Sequence, residues 1–213
     1  MIYQRKIYKK IKKYLSAKQA IIITGMRRVG KTTILKQILS EIKSKNKAYF
    51  DLEKLSDRSV FDQKNYDNIL LDLEKKGINI KKKIYIAIDE IQFLPNITSV
   101  IKYLYDHYNI KFFVTGSSSY YLKNLFTQSL AGRKIIFELF PLDFGEFLNF
   151  KEVYYKEKNF LKEKFSEFEY ERLKFYYEEF INFGGFPEIV LTKKQELKKE
   201  LLNDIISSYI NID

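Results

Sequence analysis

The sequence contains no cysteine, a single histidine and only three prolines among its 213 residues. Without cysteine there is no disulfide framework and no thiolate metal site, and one histidine argues against a histidine-based metal site. The longest apolar runs are a few residues, far short of the roughly 20 that a membrane helix needs. The basic N-terminus, "MIYQRKIYKKIKKYL", has no continuous apolar stretch and so does not resemble a secretory signal. We therefore expect a cytoplasmic protein with no membrane association.

The composition that is present fits a folded protein, with 46% hydrophobic and 31% charged residues. The net charge is +11, and residues 1–20 hold seven basic residues and no acid. We therefore expect the excess charge at the N-terminal end rather than along a broad stripe. Such an end could contact nucleic acid phosphates. The interpretation we favour is a solvated amphipathic helix from a lysine-rich proteome.

Short apolar runs alternate with helical patterns through the first two thirds of the chain. Strands are predicted at 20–24, 47–52, 84–89, 111–116 and 134–139, and helices at 31–45, 62–76, 97–108 and 118–127. This alternation predicts an α/β fold with a mostly parallel, three-layer sheet. After Pro141 only helices are predicted, at 142–150, 159–182 and 193–211. The predicted domains are an α/β core over 1–140 and a helical lid over 141–213.

The stretch "TGMRRVGKTT" fits the pattern G-x-x-x-x-G-K-[ST] through Gly25, Gly30, Lys31 and Thr32. It follows an apolar strand and opens a helix, which is the context that a phosphate-binding loop requires. Glycines let the backbone wrap around phosphate oxygens, and the helix N-terminus favours anions. The predicted nucleotide-binding residues are Gly25, Met26, Arg27, Arg28, Val29, Gly30, Lys31, Thr32 and Thr33. Lys31 is expected to reach the β- and γ-phosphates, and Thr32 to bind Mg²⁺.

The run "IYIAIDEIQ" places Asp89 and Glu90 at the carboxyl end of a buried strand. A carboxylate there can hold Mg²⁺ through its water shell, so Asp89 is the second predicted metal ligand. Glu90 is the predicted catalytic residue that orients and polarises an attacking water. The alternative role for both acids is to cap the following helix.

The next strand ends in "TGSSS", which supplies hydroxyl groups at the same sheet edge. Thr115 or Ser117 could sense the γ-phosphate or hold the attacking water. The alternative is that a serine in this run caps the next helix. The two roles are compatible because several hydroxyls are present.

The order "GMRRVGKTT", "IAIDEIQ", "FVTGSSS", "LAGR", "ELFPLDFGEF" and "FGGFPE" resembles the AAA-type ATPases of archaea and bacteria. It is most similar to the group of ATP-binding proteins that carry a C-terminal domain of unknown function. The resemblance implies ATP and Mg²⁺ as cofactors, a sheet ordered 5-1-4-3-2 and a helical lid after residue 140. It also implies hydrolysis coupled to a conformational change. The alternative is a nucleotide-dependent binding switch or DNA-associated regulator with slow hydrolysis.

Other features of the resemblance are less direct. "LAGR" places Arg133 where related ATPases can present an arginine to a nucleotide across a subunit interface, which would imply a homo-oligomer. The alternative that we favour is a structural arginine paired with an acid of the helical lid. Members of this group usually continue for well over a hundred residues beyond the last residue here. A DNA or protein client would therefore be bound through a C-terminal region that is absent.

Overall fold

The computed structural model of the chain describes residues 3–117, 130–156 and 166–210. The chain divides into two compact units. The first, which we call the sheet unit, comprises Ile7–Met26 and Gly30–Leu139; the second, the helical unit, comprises Met1–Lys6, Arg27–Val29 and Phe140–Asp213. The helix predicted at 118–127 and the start of the one predicted at 159–182 lie outside the described residues.

The sheet unit is built on five parallel strands. They are β1 (Ala20–Gly25), β2 (Lys47–Asp51), β3 (Ile84–Asp89), β4 (Ile110–Ser117) and β5 (Lys134–Leu139). The strand order is β2-β3-β4-β1-β5, and every pairing is parallel. The sheet order that the resemblance implied, 5-1-4-3-2, is therefore confirmed, and β4 lies between the strand of the phosphate loop and the strand of Asp89.

The helices of the sheet unit connect these strands. They are α1 (Lys6–Lys12, whose first residue belongs to the helical unit), α2 (Lys31–Glu41), α3 (Leu55–Phe61), α4 (Asp67–Lys75) and α5 (Ile97–His107). A 3₁₀ turn at Ile91–Phe93 follows β3. Strand β1 is buried at every position and β3 at every position but Tyr85. Burial of both faces is expected for a parallel sheet with helices on each side.

Two predicted helices have different limits in the structure. The single helix predicted at 62–76 is replaced by α3 and α4, and the Asn65 side chain accepts the Asp67 N–H (3.0 Å) where α4 begins. The helix predicted at 31–45 ends at Glu41. There the Lys47 ammonium donates to the carbonyls of Leu39 and Ile42, both at 2.6 Å, and so satisfies acceptors that the helix end leaves open.

The helical unit contains α6 (Phe144–Phe150), α7 (Glu167–Phe183), α8 (Pro187–Leu191) and α9 (Gln195–Ile210). Helix α6 begins with a capping box between Asp143 and Glu146. The "FGGFP" turn leads directly into α8, a short helix that the sequence did not predict. The helical character predicted after residue 140 is therefore present.

The core of the helical unit is a cluster of Leu142, Phe147, Leu148, Phe150 and Val190. Leu173, Tyr176 and Phe180 of α7 pack against this cluster and are partly buried. Phe168, near the start of the same helix, is 76% exposed. Helix α7 therefore contributes partly buried side chains to this cluster and has no fully buried position.

Candidate nucleotide-binding site

The phosphate loop begins where β1 ends, at Gly25. Gly25 has φ of 149°, and a Cβ at this position would lie 2.2 Å from the carbonyl oxygen of Leu139 on β5. Any other residue would therefore clash with the backbone of the neighbouring strand. Glycine at this position lets the chain leave the sheet directly above β5.

The loop ends at Gly30, which has φ of 98° and stands immediately before α2. Because this is a left-handed conformation, it favours glycine. The first bond of the helix runs from the Ile34 N–H to the Gly30 carbonyl (3.1 Å). The N–H groups of Lys31, Thr32 and Thr33 precede it and have no acceptor within the helix. No acidic side chain lies in this first turn, so its partial positive charge is available to an anion.

Lys31 is buried and its ammonium group is folded back over the start of the loop. Its Nζ donates to the carbonyl oxygens of Gly25 (3.0 Å) and Met26 (2.8 Å). Thr32 is half-buried and Thr33 is exposed. The predicted phosphate ligands of the sheet unit therefore lie within one loop and one helical turn.

The middle of the loop, Arg27–Val29, belongs to the helical unit. The Arg28 guanidinium contacts Asp204 (2.7 Å) and Glu188 (3.5 Å). The Arg27 N–H donates to the Tyr209 hydroxyl. Arg28 has φ of 62°, a left-handed conformation that is uncommon outside glycine. These contacts hold the loop segment against α8 and α9.

Asp89 ends β3 and is 2% exposed. Its carboxylate accepts hydrogen bonds from the Tyr49 hydroxyl (2.8 Å) and from the Thr115 hydroxyl. Burial, followed by the hydrogen bond to Asp89, raises the pKa of Tyr49 far above its usual range. Tyr49 therefore remains a donor, and the two hydroxyls fix the rotation of the carboxylate.

Glu90 follows in a left-handed conformation, with φ of 53° and ψ of 51°. Its N–H donates to the Thr115 hydroxyl at 3.2 Å, and its carboxylate accepts from the Gln92 side chain. Glu90 occupies the N-cap position of the 3₁₀ turn, but its side chain forms no capping hydrogen bond there. The alternative of a capping role is thus not supported for this residue.

The structure brings Thr115 together with both acids. Thr115 is fully buried on β4, where it pairs in register with Ile23 of β1. Its hydroxyl links Asp89 to the backbone of Glu90. Ser117 ends β4 opposite Gly25, so its backbone lies at the same edge of the sheet. A sensor role for either residue stays a prediction.

Arg133 is placed differently from the other predicted residues. It immediately precedes β5 and so lies at the amino edge of the sheet, whereas the phosphate loop follows β1 at the carboxyl edge. Its guanidinium forms a bidentate ion pair with Asp106 of α5, at 2.7 and 3.0 Å. The predicted pairing with an acid of the helical lid is therefore wrong, since Asp106 belongs to the sheet unit. A role in trans stays a prediction.

Sequence reasoning missed two residues that support this site. Tyr49 looked like an ordinary strand residue, and only the pairing of β2 with β3 brings its hydroxyl to Asp89. Arg5 looked like one of many N-terminal cations. It is buried, and it donates to the carbonyls of Val29 (2.8 Å) and Phe140 (2.7 Å) and to the Glu146 carboxylate (3.1 Å). No local sequence signal marks either residue.

The donor set fits Mg²⁺ in its chemistry. Thr32 and Asp89 offer hydroxyl and carboxylate oxygens, the ligand type that Mg²⁺ prefers, and Mg²⁺ keeps several waters when a nucleotide supplies the rest. The described residues contain no cluster of three or more His, Cys, Asp or Glu that could hold a metal ion. A nucleotide site does not require such a cluster, because phosphate oxygens complete the coordination.

A parallel sheet with this strand order, a glycine-bounded loop at β1 and a buried carboxylate two strands away define the class of P-loop ATPases. Within that class, residues 17–148 match the family described as "AAA domain". The match covers more than half of the chain, which therefore belongs to the AAA domain family.

Two relatives are uncharacterized proteins. One, from Methanocaldococcus jannaschii, is 37% identical over 191 residues, which are 87% of this chain and 39% of the relative. The other, from Haemophilus influenzae, is 28% identical over 194 residues, which are 89% of this chain and 44% of the relative. The chain thus spans about two fifths of the length of the relatives it matches.

Two solved structures share the fold. The Walker-type ATPase of Pyrococcus abyssi has a TM-score of 0.57 at 18% identity, with 98% of this chain and 73% of that one covered. PCH-2 of C. elegans also has a TM-score of 0.57, at 12% identity, with 99% and 70% covered. At these identities the likeness concerns the fold alone. No helix among residues 3–117, 130–156 and 166–210 is long and apolar enough to cross a membrane.

Proposed function

We propose that this chain binds ATP with Mg²⁺ and hydrolyses it, as the nucleotide module of a longer protein. The observation that carries the proposal is the hydrogen-bonded group of Asp89, Thr115 and Glu90, at the same sheet edge as the phosphate loop. A structural turn would not need a buried carboxylate held in one orientation. A site that must hold a hydrated cation beside phosphates would.

The residues have distinct roles in this proposal. The N–H groups at the start of α2 bind phosphate oxygens, and Lys31 moves from the carbonyls of Gly25 and Met26 to the β- and γ-phosphates. Thr32 and Asp89 would hold Mg²⁺, which offsets phosphate charge when bound. Glu90 accepts the hydrogen bond of the attacking water and directs it in line with the bond that breaks. Thr115 keeps the backbone of Glu90 and the carboxylate of Asp89 in register.

Calorimetry tests binding. Lys31→Ala should lower the affinity for ATP–Mg²⁺ to near the detection limit, because it removes the buried ammonium group that lies at the phosphate loop. Lys64→Ala is the matched control, because Lys64 is exposed and stands outside the loop. Competition by GTP in the same assay measures the preference for adenine. Unchanged affinity in Lys31→Ala would remove it as a phosphate ligand.

Single-turnover hydrolysis tests the chemistry. Glu90→Gln keeps the shape of the side chain but loses its charge, so it should bind ATP normally and turn over about 10²-fold more slowly. Glu53→Gln, an exposed acid that follows β2, should be unaffected. Wild-type turnover in Glu90→Gln would exclude Glu90 from the mechanism.

A second function is favoured by one contact. The Gln92 side chain donates to the Glu90 carboxylate, so it competes with water for the same acceptor. If this contact persists when the nucleotide is bound, the chain would hydrolyse ATP slowly and act as a nucleotide-dependent switch. Gln92→Ala separates the two functions. A rise in turnover supports the switch, and unchanged turnover supports the plain ATPase. Any client, and assembly into a homo-oligomer, are part of this proposal and depend on the longer protein.

A further inference from the structure

The positive charge of this protein is concentrated at one edge of the sheet. Five segments lie just before the five parallel strands or include their first one or two residues, at 12–18, 41–47, 74–83, 106–111 and 133–134. Together they contain fourteen lysine and arginine residues and three acids. Their formal charge therefore equals the net charge of the entire chain, +11, and the remaining residues are balanced. We call these five segments the basic edge.

The basic edge is one continuous surface because hydrogen bonds join its segments in the order of the strands. The Asn46 side chain in 41–47 donates to the Lys83 carbonyl in 74–83 at 3.0 Å. The Ile84 N–H, directly after that segment, donates to the Asn109 carbonyl in 106–111 at 3.0 Å. These bonds connect the entries to β2, β3 and β4.

The other half of the edge is joined in the same way. The buried Lys111 ammonium donates to the carbonyls of Tyr14 (3.0 Å) and Ala17 (2.7 Å) in 12–18. Burial and the nearby charge of Lys83 lower the pKa of Lys111 to about 8. The Ala20 N–H then donates to the Arg133 carbonyl at 2.8 Å. Each segment is thus joined to the next one across the sheet, in the order β2-β3-β4-β1-β5.

Five lysines of the basic edge face solvent without a counter-charge from the residues that the structure describes. Lys13, Lys43, Lys45, Lys81 and Lys82 are exposed, and none forms an ion pair with a residue that the structure describes. Two cations nearer the N-terminus behave differently. Arg5 pairs with Glu146 and Lys6 with Asp143, both in the helical unit. Residues 1–20 carry seven basic residues and no acid, as expected, and three of them (Lys12, Lys13 and Lys18) lie in the basic edge, where the sheet places them beside four other segments.

The shape of the surface favours a nucleic acid duplex. Five strands about 4.8 Å apart give a band roughly 19 Å long, and a duplex carries roughly eleven phosphate charges over that length. Single-stranded binding needs aromatic platforms, but Tyr14, at 41%, is the one large apolar or aromatic side chain in these segments that is well exposed. Membrane binding needs an exposed apolar face, which the basic edge also lacks. Phosphate contacts alone imply binding without sequence preference.

We propose that the basic edge binds the phosphate backbone of a nucleic acid duplex, independently of the nucleotide site at the opposite edge of the sheet. Since ATP and the duplex would use opposite edges, neither should displace the other. DNA and RNA duplexes present the same phosphate groups, so the experiment below distinguishes which of the two is bound.

Fluorescence anisotropy of the 213-residue chain tests the proposal. The probes are labelled DNA and RNA duplexes of about two helical turns, titrated across a series of KCl concentrations. The edge variant replaces Lys43, Lys45, Lys81 and Lys82 with glutamine. The control variant makes the same change at Lys64, Lys174, Lys194 and Lys199, which are exposed lysines outside the five segments. Circular dichroism melting confirms that both variants fold.

The edge variant should bind at least about 10-fold more weakly at about 50 mM KCl, and its slope of log affinity against log salt should fall by about three to four. The control variant should bind within about 3-fold of wild type. Preference for one duplex supports the proposal and identifies the source. Equal loss in both variants, tighter binding to a single strand, or wild-type binding that salt does not weaken would each overturn it. So would binding to phosphatidylserine vesicles with duplex binding absent.

Discussion

The buried Arg5 carries the most demanding stability prediction. Arg5 is 6% exposed, and its guanidinium forms three hydrogen bonds, to Glu146 and to the carbonyls of Val29 and Phe140. Arg5→Met fills similar space but leaves the buried Glu146 carboxylate without its cation. Removal of one partner from a buried ion pair costs about 3–5 kcal/mol. Glu146 still accepts the Lys6 N–H at 2.7 Å, so we expect the lower end, about 3 kcal/mol.

Urea unfolding followed by circular dichroism measures this loss. Since small domains are stable by about 5–15 kcal/mol, a loss of 3 should shift the midpoint clearly. Lys9→Met, at an exposed position of α1, is the control and should change stability by less than about 0.5 kcal/mol.

The double variant Arg5→Met/Glu146→Gln isolates the cause. With the carboxylate charge gone, part of the lost stability should return, giving a coupling energy of about 1–3 kcal/mol. Arg5→Lys should not rescue fully, because an ammonium cannot reproduce the planar fork that reaches three acceptors. A loss below about 1 kcal/mol in Arg5→Met, or strictly additive effects in the double variant, would refute the reasoning.

Three further predictions test other parts of the molecule. Tyr49→Phe removes the hydrogen-bond donor to Asp89 and keeps the ring, so the gain in ATP affinity on adding Mg²⁺ should shrink. Calorimetry with Mg²⁺ and with EDTA measures this gain. A gain equal to that of the wild type would show that Tyr49 does not position Asp89. Gly185→Ala should be more destabilising than Gly184→Ala in thermal melts, since a Cβ at Gly185 would lie 2.2 Å from the Leu142 carbonyl oxygen. At Gly184 nothing lies within 4 Å, and the backbone, with φ of 72° and ψ of −166°, opposes a side chain by about 1–3 kcal/mol. Equal melting temperatures would contradict this. Arg133→Ala should lower the free energy of unfolding by less than about 1 kcal/mol, because the ion pair with Asp106 is one-third exposed, and it should leave ATP turnover unchanged. If turnover instead falls and an excess of Lys31→Ala restores it, Arg133 acts in trans.

The sheet could be predicted from sequence because its strands are short, apolar runs with limits set by polar residues. The phosphate loop could be predicted because its glycines and lysine follow a strand directly. The order of the strands came from the resemblance alone, since periodicity carries no information about which strands are neighbours.

Other features depend on tertiary contacts that no local pattern encodes. The role of Arg5 comes from acceptors 24 to 141 residues away. The basic edge exists because parallel strands place five distant lysine-rich segments side by side. Helix α8 was missed because a glycine pair and a proline normally mark a turn, and here the proline begins a helix.

Glu90 illustrates how this protein combines stability with activity. A non-glycine residue in its left-handed conformation costs about 1–2 kcal/mol relative to an ordinary backbone. Glycine at this position would relieve that cost and make the fold more stable, while removing the carboxylate. Selection or design for thermal stability alone should therefore replace Glu90 early and yield a sturdier protein without its proposed chemistry. An engineered thermostable variant should keep this position fixed.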